Sequence, residues 1–228
     1  MSSDNGGRIV VGEREAFDAD ALTSAIDDLR RLAQFLLETH VNALAWKWAS
    51  LALNAALYGF ASIALVGDSD LNLAELPLTI KRKGETSIKV TDVYTLRKLR
   101  LEGKLSIDDW RIIGPKTILE RCADASYIDG KPLILTEDQE ESISYLREEL
   151  RNWYNHLKPD IGAAIITTGL PKMCKDVLKV IQFLIEEGIS NHRWETEEQL
   201  QEIIGLCTVN LAIVEERMRQ QDFQRENE

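Results

Sequence analysis

The feature that most constrains the fold is an uncharged stretch of twenty residues, from Trp48 to Gly67. As a helix it is long enough to cross a membrane. It is rich in alanine, however, and contains the polar residues Ser50, Asn54 and Ser62. A helix that is apolar nearly all round also suits the centre of a bundle. We favour a central bundle helix over a membrane span, because a high density of Leu, Ile and Val is missing.

Apolar residues recur at helical spacing on both sides of this stretch. The pattern predicts an all-α, antiparallel bundle of four to five long helices. Their expected bounds are about 19–38, 42–66, 137–158, 172–187 and 196–220. The small residues of the second helix permit a close helix approach, either within the bundle or across a subunit contact. His40, directly after the first helix, is expected to bind the last carbonyl groups of that helix.

Residues 68–135 interrupt the helical pattern and are interpreted as a small mixed insertion. Alternating side chains predict a β-hairpin of two strands, 78–83 and 86–91, joined around Gly84. Short helices are expected at 92–101 and 115–123. We therefore treat 1–228 as one domain, with flexible tails at 1–15 and 221–228.

The charge of the chain is strongly uneven. A net charge of −11 and a pI near 4.9 argue against a general nucleic-acid coat protein, which would be basic. Residues 81–104 reverse this trend, with eight basic and three acidic residues, a local charge of +5. Two interpretations remain open, a solvated insertion surface and an RNA-contacting patch. The candidate RNA contacts are Lys81, Arg82, Lys83, Arg97, Lys98 and Arg100.

The three cysteines, Cys122, Cys174 and Cys207, lie far apart in the sequence. No Cys-x-x-Cys motif or Cys/His cluster is present, so neither a disulfide framework nor a zinc site is supported. We expect no metal and no cofactor. Reduced thiols and the lack of a signal-peptide pattern favour a cytoplasmic protein without a membrane segment.

The candidate catalytic residues are concentrated in the sequence RNWYNH, residues 151–156. This sequence ends a predicted helix that begins after Thr136, which has Gln139 at capping-box spacing. Pro159 disfavours helical geometry at the residue before it, so the helix should end near 158. A buried stripe is expected at Ile143, Leu146, Leu150, Trp153 and Leu157.

At about 100° per residue, Arg151, Asn152, Asn155 and His156 fall on the face opposite that stripe. They are expected to point away from the core, towards solvent or a second surface. His156 also lies in the last turn, where the negative end of the helix dipole favours its protonated form. Both a functional site and a C-terminal capping cluster fit this pattern. His192, in a connecting loop, is a weaker candidate because no helix fixes its neighbours.

The sequence RNWYNH resembles the Arg-x4–6-His motif of the HEPN superfamily (higher eukaryotes and prokaryotes nucleotide-binding domains), in which the residue after Arg is commonly Asn. The order of helices, insertion and motif helix is similar to that of these all-helical bundles. The resemblance implies a metal-independent endoribonuclease. It also implies a homodimer with the two motifs facing each other across one cleft.

In such an enzyme the RNA 2′-hydroxyl attacks the adjacent phosphorus. His156 would act as general base or acid, Arg151 would stabilise the phosphorane, and Asn152 and Asn155 would orient the reacting groups. Many relatives are toxins or antiviral effectors that act on tRNA or mRNA under the control of an inhibitory or activating protein. Some members are non-catalytic, so the alternative is a helical module for dimerisation or for binding nucleotides or protein partners.

Overall fold

The computed structural model describes residues 9–11, 14–16, 21–66, 70–80, 87–106, 109–128, 130–150, 169–188 and 197–226. The described chain is mostly helical, which confirms the predicted all-α class. Its α-helices are α1 (Ala21–Glu38), α2 (Ala45–Val66), α3 (Val93–Leu101), α4 (Pro115–Cys122), α5 (Glu137–Ser144), α6 (Leu170–Phe183) and α7 (Glu197–Glu226). Two of them continue into π-helical turns, α5 through Tyr145–Leu150 and α6 through Leu184–Gly188.

The uncharged helix α2 lies at the centre of the bundle. It packs against α1, α4 and α6, and its side chains Leu53, Leu57 and Phe60 are fully buried. By length and hydropathy α2 could cross a membrane, but 61% of its most apolar window is buried inside the protein. The helix is therefore apolar all round because neighbouring helices cover most of its surface.

Helices α1 and α2 approach each other closely at Gly59. A Cβ atom built on Gly59 would lie 2.8 Å from the Cβ of Ala25 in α1. Side chains cannot be that close without a shift, so glycine is what permits this contact. Of the two alternatives for the small residues of α2, the structure supports close packing within the bundle at this position.

Not all neighbouring helices are antiparallel. Asn210 of α7 donates to the carbonyl of Ala33 in α1 at 2.8 Å, and Cys207 contacts the carbonyl of Leu29 at 3.6 Å. Residue numbers therefore increase in the same direction along the two helices, so α1 and α7 are parallel. The outer helix α7 also contacts α6, where Lys175 and Glu215 form an ion pair of 2.5 Å.

A second, smaller core lies within the predicted insertion. The hairpin of β3 (Leu78–Ile80) and β4 (Ile88–Val90) is antiparallel, with Leu78 opposite Val90, which confirms the prediction for its described residues. Its inner side chains pack with α3, and the buried members of this cluster are Leu71, Ala74, Ile80, Val90, Leu96 and Leu99. Trp110 contacts both this cluster and the main core. Helix α4, also inside 68–135, packs on α2 and belongs to the main core.

Both termini contain more regular structure than the predicted tails. Strands β1 (Ile9–Val11) and β2 (Arg14–Ala16) pair antiparallel, in keeping with the β-branched run at residues 9–11. Helix α7 continues to Glu226 instead of ending near Gln220. The physical reason is that no Gly or Pro follows Gly205, so nothing in the sequence stops the helix earlier.

Candidate functional site

The structure describes three of the ten predicted site residues. Arg97, Lys98 and Arg100 lie on α3. The predicted catalytic residues Arg151, Asn152, Asn155 and His156 lie outside the described residues, as do Lys81, Arg82, Lys83 and the weaker candidate His192. The described residues nearest these candidates in the sequence form the helix that precedes RNWYNH, a groove beside that helix and the outer face of α3.

The start of the motif helix is fixed by a reciprocal cap. The Thr136 hydroxyl accepts from the Gln139 backbone N–H at 3.3 Å, and the Gln139 side chain accepts from the Thr136 backbone N–H at 2.9 Å. This confirms the predicted capping box. Glu137, Asp138 and Glu140 lie in the first turn, where the helix dipole favours negative charge.

The buried side of this helix docks on the bundle as predicted. Ile143, Leu146 and Leu150 are all buried, and the helix contacts α2 and α6. A polar link supports the apolar contact, since the buried Ser142 hydroxyl donates to the buried Asp176 carboxylate of α6 at 3.1 Å. The helix is therefore held in place up to the residue that directly precedes Arg151.

The last described turn of the motif helix is not α-helical. Residues Tyr145–Leu150 form a π-helical turn. The predicted direction of Arg151 and His156 assumed 100° per residue throughout. Residues 145–150 depart from that value because a π-turn closes its hydrogen bonds over five residues, and the direction of Arg151 and His156 stays a prediction because both lie outside the described residues. Single π-turns inside helices occur frequently at functional sites, and nothing in the apolar spacing of this helix indicates one.

A groove of about 690 Å³ runs along this helix, between α5, α4 and residues 133–135. Its floor is apolar, formed by side chains that include Leu119, Leu133 and Ile143. Ile134, on its rim, is 86% exposed. The volume falls within the range of small-molecule sites, so a nucleobase or an apolar side chain fits in it by size.

Charged groups surround the groove. Lys116 and Arg147 supply positive charge, and Glu120, Glu140 and Glu141 supply negative charge. Arg147 is held by Glu148 at 2.5 Å, a hydrogen bond that is the main cause of a raised Arg147 pKa. Sequence reasoning did not identify Arg147 or Lys116 as site residues. The available signal was the position of Arg147, four residues before Arg151 in the sequence.

The outer face of α3 combines cations with exposed apolar side chains. The helix begins after Asp92, whose carboxylate accepts from the Thr95 backbone N–H at 2.7 Å. Arg97 and Lys98 are exposed and share a face with Tyr94, which is 79% exposed. Their spacing of three and four residues puts all three side chains within reach of one ligand. Sequence reasoning missed Tyr94, although its spacing from Arg97 and Lys98 was a usable signal.

Arg97 also connects this face to the bundle. Its guanidinium donates to the Asn72 side chain at 3.3 Å. The amide of Asn72 in turn donates to the carbonyl of Leu65, the penultimate residue of α2, at 2.8 Å. The RNA-binding candidates of α3 therefore belong to a region that is anchored to the central helix.

The remaining candidates fit structural roles. The His40 ring binds the carbonyl of Leu37, which confirms the predicted role at the end of α1. All three cysteines are buried, and burial raises the pKa of the Cys122 and Cys207 thiols to about 12 and raises that of Cys174 as well. Protonated thiols are poor nucleophiles. Among the described residues, no group of three or more His, Cys, Asp or Glu side chains is arranged to hold a metal ion.

Comparison with known proteins found no matching family model, no matching curated protein and no matching solved structure.

Proposed function

We propose that this protein is a metal-independent endoribonuclease of the HEPN type, which cleaves RNA by attack of the 2′-hydroxyl on the adjacent phosphorus. The observation that carries the proposal is the sequence RNWYNH, which directly follows Leu150 in the sequence. Leu150 is the last described residue of a helical segment that is capped at Thr136 and docked on the bundle core. The all-α architecture agrees with the resemblance. A titratable imidazole and a guanidinium five residues apart in the sequence are suited to general acid–base chemistry on a phosphodiester.

In the proposed mechanism, His156 transfers the proton of the 2′-hydroxyl or of the leaving 5′-oxygen. Arg151 stabilises the charge that develops on the phosphorane, and Asn152 and Asn155 orient the reacting groups. The products are a 2′,3′-cyclic phosphate and a free 5′-hydroxyl, and no metal ion takes part. In keeping with the resemblance, a homodimer brings two motifs to one cleft.

The outer face of α3 supports contact with RNA. Lys98 and Arg97 provide phosphate contacts, and the exposed ring of Tyr94 provides a surface on which a base can stack. Together with Lys81, Arg82, Lys83 and Arg100, these residues form the proposed RNA-binding patch of an otherwise acidic protein. The proposed substrate is tRNA or mRNA, and the proposed setting is a cytoplasmic toxin or antiviral effector controlled by a protein partner.

The test compares wild type with His156→Ala and Arg151→Ala on total tRNA and mRNA in EDTA, with analysis of the RNA ends. His40→Ala is a matched control, because His40 lies just after α1 and its ring binds the carbonyl of Leu37 in that helix. We expect the two motif variants to lose cleavage and the His40 variant to retain it. Cleavage that persists in His156→Ala, or that requires a divalent metal, would exclude the proposal.

The second candidate function is a non-catalytic helical module for dimerisation or for nucleotide or partner binding. The specific observation in its favour is an exposed apolar face on α7, where Leu206, Val209 and Ile213 are 50%, 56% and 38% exposed. Salt dependence separates the two functions. RNA contact through the basic patch should weaken steeply as salt is raised, whereas an apolar helix interface should not.

A further inference from the structure

The groove between α4 and α5 has an apolar floor that belongs to the main core. Leu119, Leu133 and Ile143 line the groove, and all three are buried members of the core cluster. Their positions are therefore fixed by contacts within the protein. A groove of about 690 Å³ with such a floor is preformed, as ligand sites usually are.

The rim of the groove has an apolar side chain that the described chain leaves uncovered. Burial alternates along the segment that follows Pro132, since Leu133 is buried, Ile134 is 86% exposed and Leu135 is half-buried. All three residues line the groove. Exposed apolar surface next to a preformed apolar floor is typical of an interaction site.

Both basic side chains of the groove are already paired with acids of the protein itself. Arg147 forms an ion pair of 2.5 Å with Glu148. Lys116 forms one of 3.8 Å with Glu120. Neither base is therefore an isolated positive charge that would favour a phosphate group in the groove.

Two further acids line the groove, and their charge is not neutralised within the described part of the chain. Glu140 and Glu141 of α5 are exposed. Neither forms an ion pair with a described basic residue, whereas Lys116 and Arg147, on the same groove, pair with Glu120 and Glu148. The groove is therefore complementary to an apolar ligand that carries positive charge.

We propose that the groove between α4 and α5 is the docking site for a segment of another protein in which apolar side chains lie next to lysine or arginine. The apolar side chains cover Ile134 and the floor, and the basic ones pair with Glu140 and Glu141. A nucleotide is a poorer fit, because its phosphate would face these two acids. The proposal does not rest on the ribonuclease activity, since none of the residues that carry it is a proposed catalytic or RNA-binding residue.

The experiment measures the binding of two fluorescein-labelled peptides by fluorescence anisotropy, without RNA. Both peptides contain the same leucines, with lysines between them in the basic peptide and glutamates in the acidic one. We expect wild type to bind the basic peptide at least about tenfold more tightly than the acidic one, because like charges are placed together in the acidic complex. A basic peptide with serine in place of leucine should bind at least about tenfold more weakly.

Two sets of variants test the two halves of the site. Ile134→Asp should weaken the basic peptide at least about tenfold and retain the wild-type circular dichroism spectrum, because Ile134 is exposed. Glu140→Lys combined with Glu141→Lys should reverse the preference, so that the acidic peptide binds more tightly than the basic one.

Matched controls separate the groove from the general negative charge of the chain. Glu198→Lys combined with Glu202→Lys makes the same change in net charge on two exposed acids of α7. Leu101→Asp makes the same type of change as Ile134→Asp on α3, where Leu101 is 89% exposed. We expect both controls to bind the basic peptide as wild type does.

Several results would overturn the proposal. They are the absence of binding by either peptide, equal binding of the basic and acidic peptides, and equal effects of the α5 and α7 charge reversals. Displacement of the bound peptide by adenosine monophosphate would assign the groove to a nucleotide instead. Self-association of wild type that is lost in Ile134→Asp, measured by sedimentation velocity, would assign it to a second copy of this chain.

Discussion

The contact between Gly59 and Ala25 gives the sharpest prediction about stability. In Gly59→Ala, two Cβ atoms would be 2.8 Å apart, whereas carbon atoms pack best at about 3.5–4.0 Å. Helices α1 and α2 must therefore separate locally by roughly 0.7–1.2 Å. Overpacking of this kind costs about 1–3 kcal/mol, and the better helix propensity of alanine returns about 1 kcal/mol.

We therefore expect Gly59→Ala to lower the free energy of unfolding by about 0–2 kcal/mol. A double-mutant cycle separates the two terms. Ala25→Gly alone should cost about 1 kcal/mol through helix propensity, but in the Gly59→Ala background it removes the overlapping methyl group. The double variant should then be about as stable as wild type, with a coupling energy of about 1–3 kcal/mol.

Urea unfolding followed by far-UV circular dichroism measures all four proteins. If the m-values of the four proteins are equal, the differences between their urea midpoints report differences in stability alone. Additive effects, with a coupling energy within about 0.5 kcal/mol of zero, would show that α1 and α2 do not approach each other at Gly59 as described.

Three further predictions follow from buried and capping groups. Leu146→Ala, at a position 1% exposed on the motif helix, should lower the free energy of unfolding by about 2–5 kcal/mol; urea titration measures it, and a loss well below 1 kcal/mol would contradict the docking of this helix. The thiols of Cys122, Cys174 and Cys207 should not react with a disulfide reagent in the folded protein, because burial raises the pKa of each; rapid labelling of any of them without denaturant would refute this. Hydrogen bonds from Thr95 lower the pKa of Asp92 below its ordinary 3.8. Its stabilisation of α3 is therefore present above that value and lost as pH falls through the lowered one. Acid titration of Asp92→Asn should accordingly show a smaller loss of stability than wild type, and equal losses would count against the cap.

The main bundle could be predicted because its sequence signals are local. Helix starts were marked by identifiable residues, such as the capping box at Thr136 and Gln139. The buried positions Ile143, Leu146 and Leu150 of the motif helix followed from spacing alone. In these segments helix propensity, capping and apolar period all favour the same structure, so the prediction does not depend on tertiary contacts.

The π-turn and the groove could not be predicted, because they depend on geometry that the spacing of apolar residues does not encode. The π-turn at residues 145–150 leaves Leu146 and Leu150 buried, so the apolar pattern looks the same with or without it. The groove beside α5 needs α4 and residues 133–135 to be brought alongside. These are contacts between segments that are distant in sequence, and a single chain gives no local sign of them.

The outer face of α7 shows the same limit. Leu206, Val209 and Ile213 follow a helical spacing that would normally be read as a buried stripe. A second set of apolar residues on the same helix, including Cys207 and Leu211, is the one that is buried. Only the folded chain distinguishes the face that packs on the bundle from the one that remains exposed.

The most direct test of the central claim is cleavage of total tRNA and mRNA by the purified protein in EDTA, with wild type, His156→Ala and His40→Ala assayed side by side and the RNA ends identified. We expect wild type and His40→Ala to produce RNA fragments with 2′,3′-cyclic phosphate ends, and His156→Ala to cleave no RNA. Absence of cleavage by a well-folded wild-type dimer, or equal cleavage by wild type and His156→Ala, would contradict it.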